Sequence, residues 1–415
     1  MSAPAGVTRR APHDLSVRTR FWVLSALRWL PTGLIIPVSV LLPLDRGLTL
    51  AEVGASMAAQ GIVVLILELP TGSLTDTLGR RPVLLVSAAV ALVAILVTSS
   101  ATTFWGFALA WGLMGVFRAL DSGPLEAWFV DAERAAGADQ ARIAGGLSSA
   151  GAVTGLAIAI GALLGGGLVA WAPRLGAPPL VLPLWVAAGV VLLQLAAAAM
   201  LVTDPPRTPE APPARWTATL RDGLRMVARP GALRRLAGVS ALTGIGMWAF
   251  EVMMPVRLED FMGGAADAGA AMGPVTASAW GVSAVGAGLT AVAARHWATR
   301  RITVWLLVLQ VVAVVGMALA GGPATLVATF LAVYLVHTGA GSTFNALVHD
   351  EVADSHRATA LSIMSLAMQG AGAVATVTLG LVADRAGPPA ALLAGAAAIA
   401  LGAALLAVRP RSLAG

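Results

Sequence analysis

Apolar runs of bilayer-spanning length divide this chain from end to end. They fall at about 21–43, 50–72, 82–100, 103–129, 143–171, 180–203, 233–257, 272–294, 302–320, 323–347, 359–383 and 388–408, twelve in all, with short charged or Gly/Pro breaks between them. A spanning helix needs about 20 mostly apolar residues. Lipid offers the backbone no hydrogen bonds, so each run must satisfy its own polar groups and is predicted to be a helix. The composition agrees: 58% of 415 residues are hydrophobic and only 12% are charged, about half the charge of a soluble domain. Soluble enzymes, secreted disulfide scaffolds and disordered chains are thereby excluded. The first run is too long for the apolar core of a signal peptide and reads as a first span.

The net charge is +6, and all 27 basic residues are arginine. Most lie between apolar runs and form no patch, so they point to topology and not to nucleic acid. With the N-terminus placed inside, 21 arginines fall in the two tails and the inner loops. Four fall in outer loops (Arg46, Arg174, Arg257, Arg385), and Arg28 and Arg118 lie within spans. This bias predicts that both termini face the cytoplasm. Trp22, Trp128, Trp297 and Trp305 fall near inner span ends and Trp105 and Trp171 near outer ones, as interfacial belt residues do. With no cysteine, disulfides and thiolate metal sites are impossible. The five histidines show no H-E-x-x-H spacing, and there is no Walker-type phosphate loop, so neither a cofactor nor a metal is expected.

The longest break, 204–232, divides the chain into 1–203 and 233–415. Within it Trp216, Leu220, Leu224 and Val227 share one helical face and Arg221, Arg225 and Arg229 another, the pattern of an amphipathic helix on the membrane surface. The two parts are related. Arg80-Arg81 opens the third run and Arg300-Arg301 the ninth; Asp131 follows the fourth and Asp350 the tenth. At this offset of 219 or 220 residues, Arg118 maps onto His337. Six spans per part, in parallel orientation, is a plan known in secondary transporters.

Between the second and third runs the chain reads Gly72-Ser73-Leu74-Thr75-Asp76-Thr77-Leu78-Gly79-Arg80-Arg81. This resembles motif A of the major facilitator superfamily, G-x-L-x-D-x-x-G-R-(R/K), with Gly72, Leu74, Asp76, Gly79, Arg80 and Arg81 in register. The resemblance implies an all-α membrane fold of twelve helices in two pseudo-symmetric halves, and a latch of this loop against the eleventh span that favours the outward-open state. The second-half counterpart keeps the arginine pair without the Gly-x-x-x-Asp part, so no latch is assigned there. Gly161-Ala162-Leu163-Leu164-Gly165-Gly166-Gly167 resembles the antiporter motif C, G-P-x-x-G-G, with Ala162 at the proline. Close helix packing through Gly161, Gly165 and Gly166 is the other reading.

Ionisable groups in the hydrocarbon region are costly, roughly 2.5–3.5 kcal/mol each on insertion scales, and so are functional candidates. They are Arg28 in the first span, Arg118 and Asp121 in the fourth, Glu251 in the seventh and His337 in the tenth. In the resembled family these four spans line the central cavity. Arg118 resembles the motif B arginine, with Met114 at the family's Leu position, Asp121 at its Gln position and Ser122 at its Gly position. At i,i+3 spacing Arg118 and Asp121 can neutralise each other, or act as a proton-responsive pair or an anion site. Glu251 has no basic residue within one turn of its own helix and is a candidate proton carrier or binding group for a cationic substrate. Arg28 is expected to pair with Glu68 of the second span.

The reading is a monomeric, multi-pass transporter of the cytoplasmic membrane that works by alternating access and is not an enzyme. Its expected task is proton-coupled export of a small organic compound, a drug or metabolite. Proton-coupled nutrient uptake and a transport-dead membrane sensor are the alternatives.

Overall fold

The computed structural model describes residues 15–203, 231–352 and 357–408; within its helices the side chains of 68–70, 72–77 and 357–359 are outside that description. The expected amphipathic helix around Trp216 also lies outside the described residues, as do Arg9, Arg10, Arg409 and Arg411. The described residues form fourteen α-helices and no strand. These are α1 (Val17–Ile35), α2 (Leu41–Asp45), α3 (Leu50–Leu78), α4 (Arg80–Ser100), α5 (Phe104–Leu120), α6 (Pro124–Ala135) and α7 (Gln140–Trp171). Then come a short 3₁₀ turn (Ala172–Leu175), α8 (Leu182–Leu201), α9 (Ala232–Met262), α10 (Ala265–Ala293), α11 (Thr299–Ala318), α12 (Pro323–Asp350), α13 (Arg357–Ala386) and α14 (Pro388–Ala407).

Helix starts follow capping chemistry. Ser16, Thr103 and Asp139 accept side-chain hydrogen bonds from backbone N–H groups in the first turns of α1, α5 and α7, which satisfies donors that have no intrahelical partner. Gly79, with φ at +96°, makes the sharp turn from α3 to α4. Among the described residues ten helices are long and apolar enough to cross a membrane. α1 is long enough, but Arg18, Arg20 and Arg28 lower its hydropathy, and α5 has 17 residues.

Two apolar runs are not single helices. The first ends as α1 at Ile35, and after a turn containing Pro37 the chain forms the short α2. The fourth breaks at 121–123 into α5 and α6. Gly123 there is left-handed (φ +96°) and Pro124 follows at the first position of α6. The left-handed glycine ends the helical path, and proline suits the first position of a new helix, where its missing N–H would have had no intrahelical partner.

The strong helix contacts form two sets of the same plan. α1 packs on α7 and α8, α3 on α5, and α4 on α5 and α8. Correspondingly, α9 packs on α13 and α14, α10 on α12, and α11 on α12 and α14. Two pairs join the sets, α3 with α13 and α7 with α10. Exchanging the sets converts one joining pair into the other. Both joining pairs are antiparallel: Leu50 lies beside Asp384, and Gly269 beside Val169. Residues 15 and 408 therefore sit at the same end of the bundle, called here the terminal end; the opposite end is the far end.

Glycines make these seams. A Cβ on Gly380 would lie 2.5 Å from the Leu50 carbonyl oxygen, and one on Gly166 would lie 2.6 Å from the Ala270 carbonyl oxygen. Only the missing side chain permits such approach. At the far end the Asp384 carboxylate also accepts from Leu50 N (3.0 Å) and Ala51 N (2.9 Å), capping α3 across the seam.

Arginine side chains cover the C-terminal ends of four helices. At the terminal end Arg81 donates to the Ala199 carbonyl in the last turn of α8 (2.6 Å), and Arg300 donates to those of Leu406 (2.8 and 2.6 Å) and Val408 (2.6 Å) at the end of α14. At the far end Arg46 donates to the Ser99 (2.8 Å) and Ala101 carbonyls after α4, and Arg257 to that of Ala320 (3.1 Å) after α11. Both related positions in each pair thus satisfy orphan carbonyls and the negative end of a helix dipole. Arg46 and Arg257, counted from sequence as outer exceptions, are helix caps. Trp128, read as a belt residue, is instead 1% exposed in a core with Phe21, Phe129 and Ile143; Trp105, Trp171, Trp297 and Trp305 are exposed.

Candidate functional site

Two ionisable clusters lie at mid-depth, one in each set of helices. In the first, Asp121 terminates α5 and is 2% exposed. Its Oδ2 accepts from Arg28 Nε of α1 in a short ion pair, and its Oδ1 is buried without a partner among the described residues. The break after Asp121 turns the chain away there, which frees the carboxylate to point at α1. The Arg28 guanidinium lies 4.3 Å from the Trp29 ring centroid and 5.9 Å from that of Phe117, a geometry of cation–π attraction. Arg118, one turn before Asp121, is exposed. The i,i+3 pairing expected for Arg118 and Asp121 therefore gives way to a pairing across helices. The Glu68 side chain, the expected partner of Arg28, lies outside the described residues.

In the second cluster the Tyr334 hydroxyl of α12 donates to Glu251 Oε1 of α9 in a short hydrogen bond. Both residues are half-buried. Phe250 and Phe330 are buried behind them, with the Phe330 and Tyr334 ring centroids 5.0 Å apart. His337, one turn along α12, stands edge-on to Phe250 at 5.5 Å. Its Nδ1 is 3.1 Å from Gln310 Nε2 of α11. His337 thus joins the Glu251 cluster to a cavity of about 420 Å³ among α9, α11, α12 and α13.

Tyr334, Gln310 and the partnership of Arg28 with Asp121 were missed from sequence. Tyr334 carried a signal: it is the chain's only tyrosine and lies three residues before His337, on the same helical face. Gln310 sits in an apolar run as a polar residue that must find a partner.

The motif-like residues are placed as follows. Gly72 and Asp76 lie on α3, outside the residues whose side chains are described. Gly79 makes the turn, Arg80 pairs with Asp131 of α6 (3.3 Å), and Arg81 caps α8. Gly161 and Gly165 of α7 pack against the α1 backbone at Leu30 and Leu34, while Gly166 packs against α10. Among the described residues no cluster of three metal-ligating side chains occurs.

A repeated bundle of membrane-length helices with ionisable groups held inside it is the architecture of secondary transporters. More particularly, the chain belongs to the Major Facilitator Superfamily, whose family model matches residues 21–376. Two crystal structures of the nucleoside transporter NupG, one of them a point mutant, share its fold. The mutant superposes with a TM-score of 0.82 at 13% identity, over 94% of this chain and 99% of that one. The other gives 0.80 at 13% identity, over 95% and 100%. No curated protein matches the sequence.

Proposed function

We propose that this protein is a secondary active transporter that exports a small organic compound in exchange for protons, by alternating access. Residues 1–203 and 233–415 are its two six-helix halves, with 204–232 as the connecting segment. α1 and the α5–α6 pair complete twelve spans. Both termini lie in the cytoplasm, the protein resides in the cytoplasmic membrane as a monomer, and the far end faces outward.

One observation carries the proton coupling. Glu251 sits at mid-depth with a tyrosine hydroxyl as its partner and no ion pair among the described residues. A carboxyl in such a place exists at low cost only if it can take up a proton. Arg28 and Asp121 form the opposing pair in the first half, where the unpartnered Asp121 oxygen offers a second acceptor for a proton or a polar substrate group. The glycine seams at the far end, and the Asp384 cap on α3, hold the outward side shut in this conformation. The last turn of α3, around Asp76, is the counterpart latch for the other state. Of the antiporter-like glycines of α7, Gly161 and Gly165 lie against α1, and Gly166 lies in the seam with α10, where rocking takes place; that one position supports export.

The test is Glu251→Gln in proteoliposomes. Substrate flux should continue down its own gradient yet no longer respond to an imposed pH gradient. Normal coupling in that variant would overturn the assignment and move the proton to Asp121 or His337. A second reading, proton-coupled uptake of a nucleoside, is favoured by the two fold neighbours described as nucleoside transporters. Inward accumulation of labelled uridine driven by an acidic exterior would establish it over export.

A further inference from the structure

The cavity beside His337 has no role in the reading above. Every described residue of its lining belongs to the second half. Its walls are α9, α11, α12 and α13. At about 420 Å³ it falls in the size range of small-molecule pockets, roughly 300–1,000 Å³. Its apolar walls include Met247, Leu307, Met364 and Met368. Methionine adapts its shape to irregular partners. The described lining contains no acid and no arginine. Its described polar groups are hydroxyls (Ser240, Thr243, Thr303, Ser365) and amides (Gln310, Asn345), with His337 at the junction with Glu251.

Two of these groups are poised for a ligand. If Gln310 Nε2 donates to His337 Nδ1 across their 3.1 Å contact, the pair still has the amide oxygen as an acceptor and the ring Nε2–H as a donor. Neither makes another hydrogen bond among the described side chains. Gln310 is 3% exposed, so this polar edge lies at the floor. The entrance lies along α12, where Gly341 and Asn345 are exposed. A Cβ built on Gly341 meets no atom within 4 Å. The missing side chain serves no close helix approach there; it leaves the mouth open.

We propose that this cavity binds the uncharged body of the transported compound: a neutral molecule whose paired donor and acceptor meet Gln310 and His337 and whose apolar faces lie on the methionines. The proposal rests on the transporter reading and narrows it to uncharged, amphipathic substrates. Binding at His337 places the compound one helical turn from Tyr334, so that proton uptake at Glu251 and occupancy of the cavity are felt by the same stretch of α12.

The chain has no cysteine, so a Ser365→Cys variant places one thiol in the cavity wall. Its labelling by N-ethylmaleimide, in purified protein in nanodiscs, reports access. The probes are uridine, chloramphenicol and Nile red as uncharged compounds, tetraphenylphosphonium as a cation and benzoate as an anion. At least one uncharged probe should slow labelling about tenfold, and neither ion should. Gly341→Phe should abolish that protection, while Gly341→Ala, whose methyl group meets no atom within 4 Å, should retain it. Protection by no uncharged probe, equal protection by the ions, or protection that survives Gly341→Phe would each overturn the proposal. Flux of the same probes into proteoliposomes separates the two readings. Flux without protection of the thiol refutes the pocket and leaves the transport reading; protection without flux by any probe overturns the assignment of this cavity to the transported compound.

Discussion

Gly380→Ala isolates the far-end seam. In this conformation the new methyl group would stand 2.5 Å from the Leu50 carbonyl oxygen and 2.8 Å from Ala51 Cα. Both are backbone atoms of a helix, so neither can swing aside as a side-chain tip would, and α3 and α13 must separate. Overpacking of this kind costs about 1–3 kcal/mol. The gain in helix propensity from glycine to alanine, up to about 1 kcal/mol, accrues in every conformation and cancels. The clash exists only where the seam is closed. The ratio of far-end-open to far-end-closed protein should therefore rise roughly 5- to 150-fold, at 1.4 kcal/mol per tenfold. Spin labels on Thr102→Cys and Gly321→Cys, both exposed in far-end loops, would read this as growth of the longer distance in double electron–electron resonance. The melting temperature should hold, because the open state relieves the clash. An unchanged distance distribution would refute the idea that the seam belongs to one state of a rocking pair. A lower melting temperature with no change in distance would make the glycine a plain packing residue.

Asp384→Ala removes the cap on α3 and should shift the same distances in the same direction by about fivefold, since losing such a cap costs about 1 kcal/mol; labels that report no change would reduce Asp384 to a surface carboxylate. Arg300→Ala uncovers the carbonyls ending α14, and thermal unfolding should fall by a few degrees, for a loss of about 1–2 kcal/mol, with substrate affinity unchanged. Asp76→Asn should slow turnover severalfold with little change in substrate binding, measured by flux and by equilibrium binding on one preparation; unchanged turnover would remove the latch role.

The helices were legible because lipid leaves little choice: a run of twenty apolar residues has few structures open to it, and all twelve runs fall on helices here. The break between the second and third runs was also legible, and the structure narrows it to the turn at Gly79. The break in the fourth run was written in Gly123-Pro124 but masked by the apolar residues on either side. What sequence could not show was which faces meet. Asp121 has an arginine at helical spacing on its own chain, yet its partner is Arg28, because the break redirects the carboxylate toward α1. Glu251 looked solitary because Tyr334 lies 83 residues away, on a helix brought beside it only by packing. The outer arginines Arg46 and Arg257 looked like lapses in a topology rule. Their purpose depends on carbonyls at the ends of other helices, which no local pattern reveals.

The hydrogen bond between Tyr334 and Glu251 has a practical corollary. Tyrosine occurs once in this chain, so growth on isotope-labelled tyrosine places a single spectroscopic reporter on the carboxyl that is proposed to carry the proton. The ring C–O vibration, or the carbon resonance beside the hydroxyl, would follow that bond as protons and compounds pass, in the native protein and with no mutation at all.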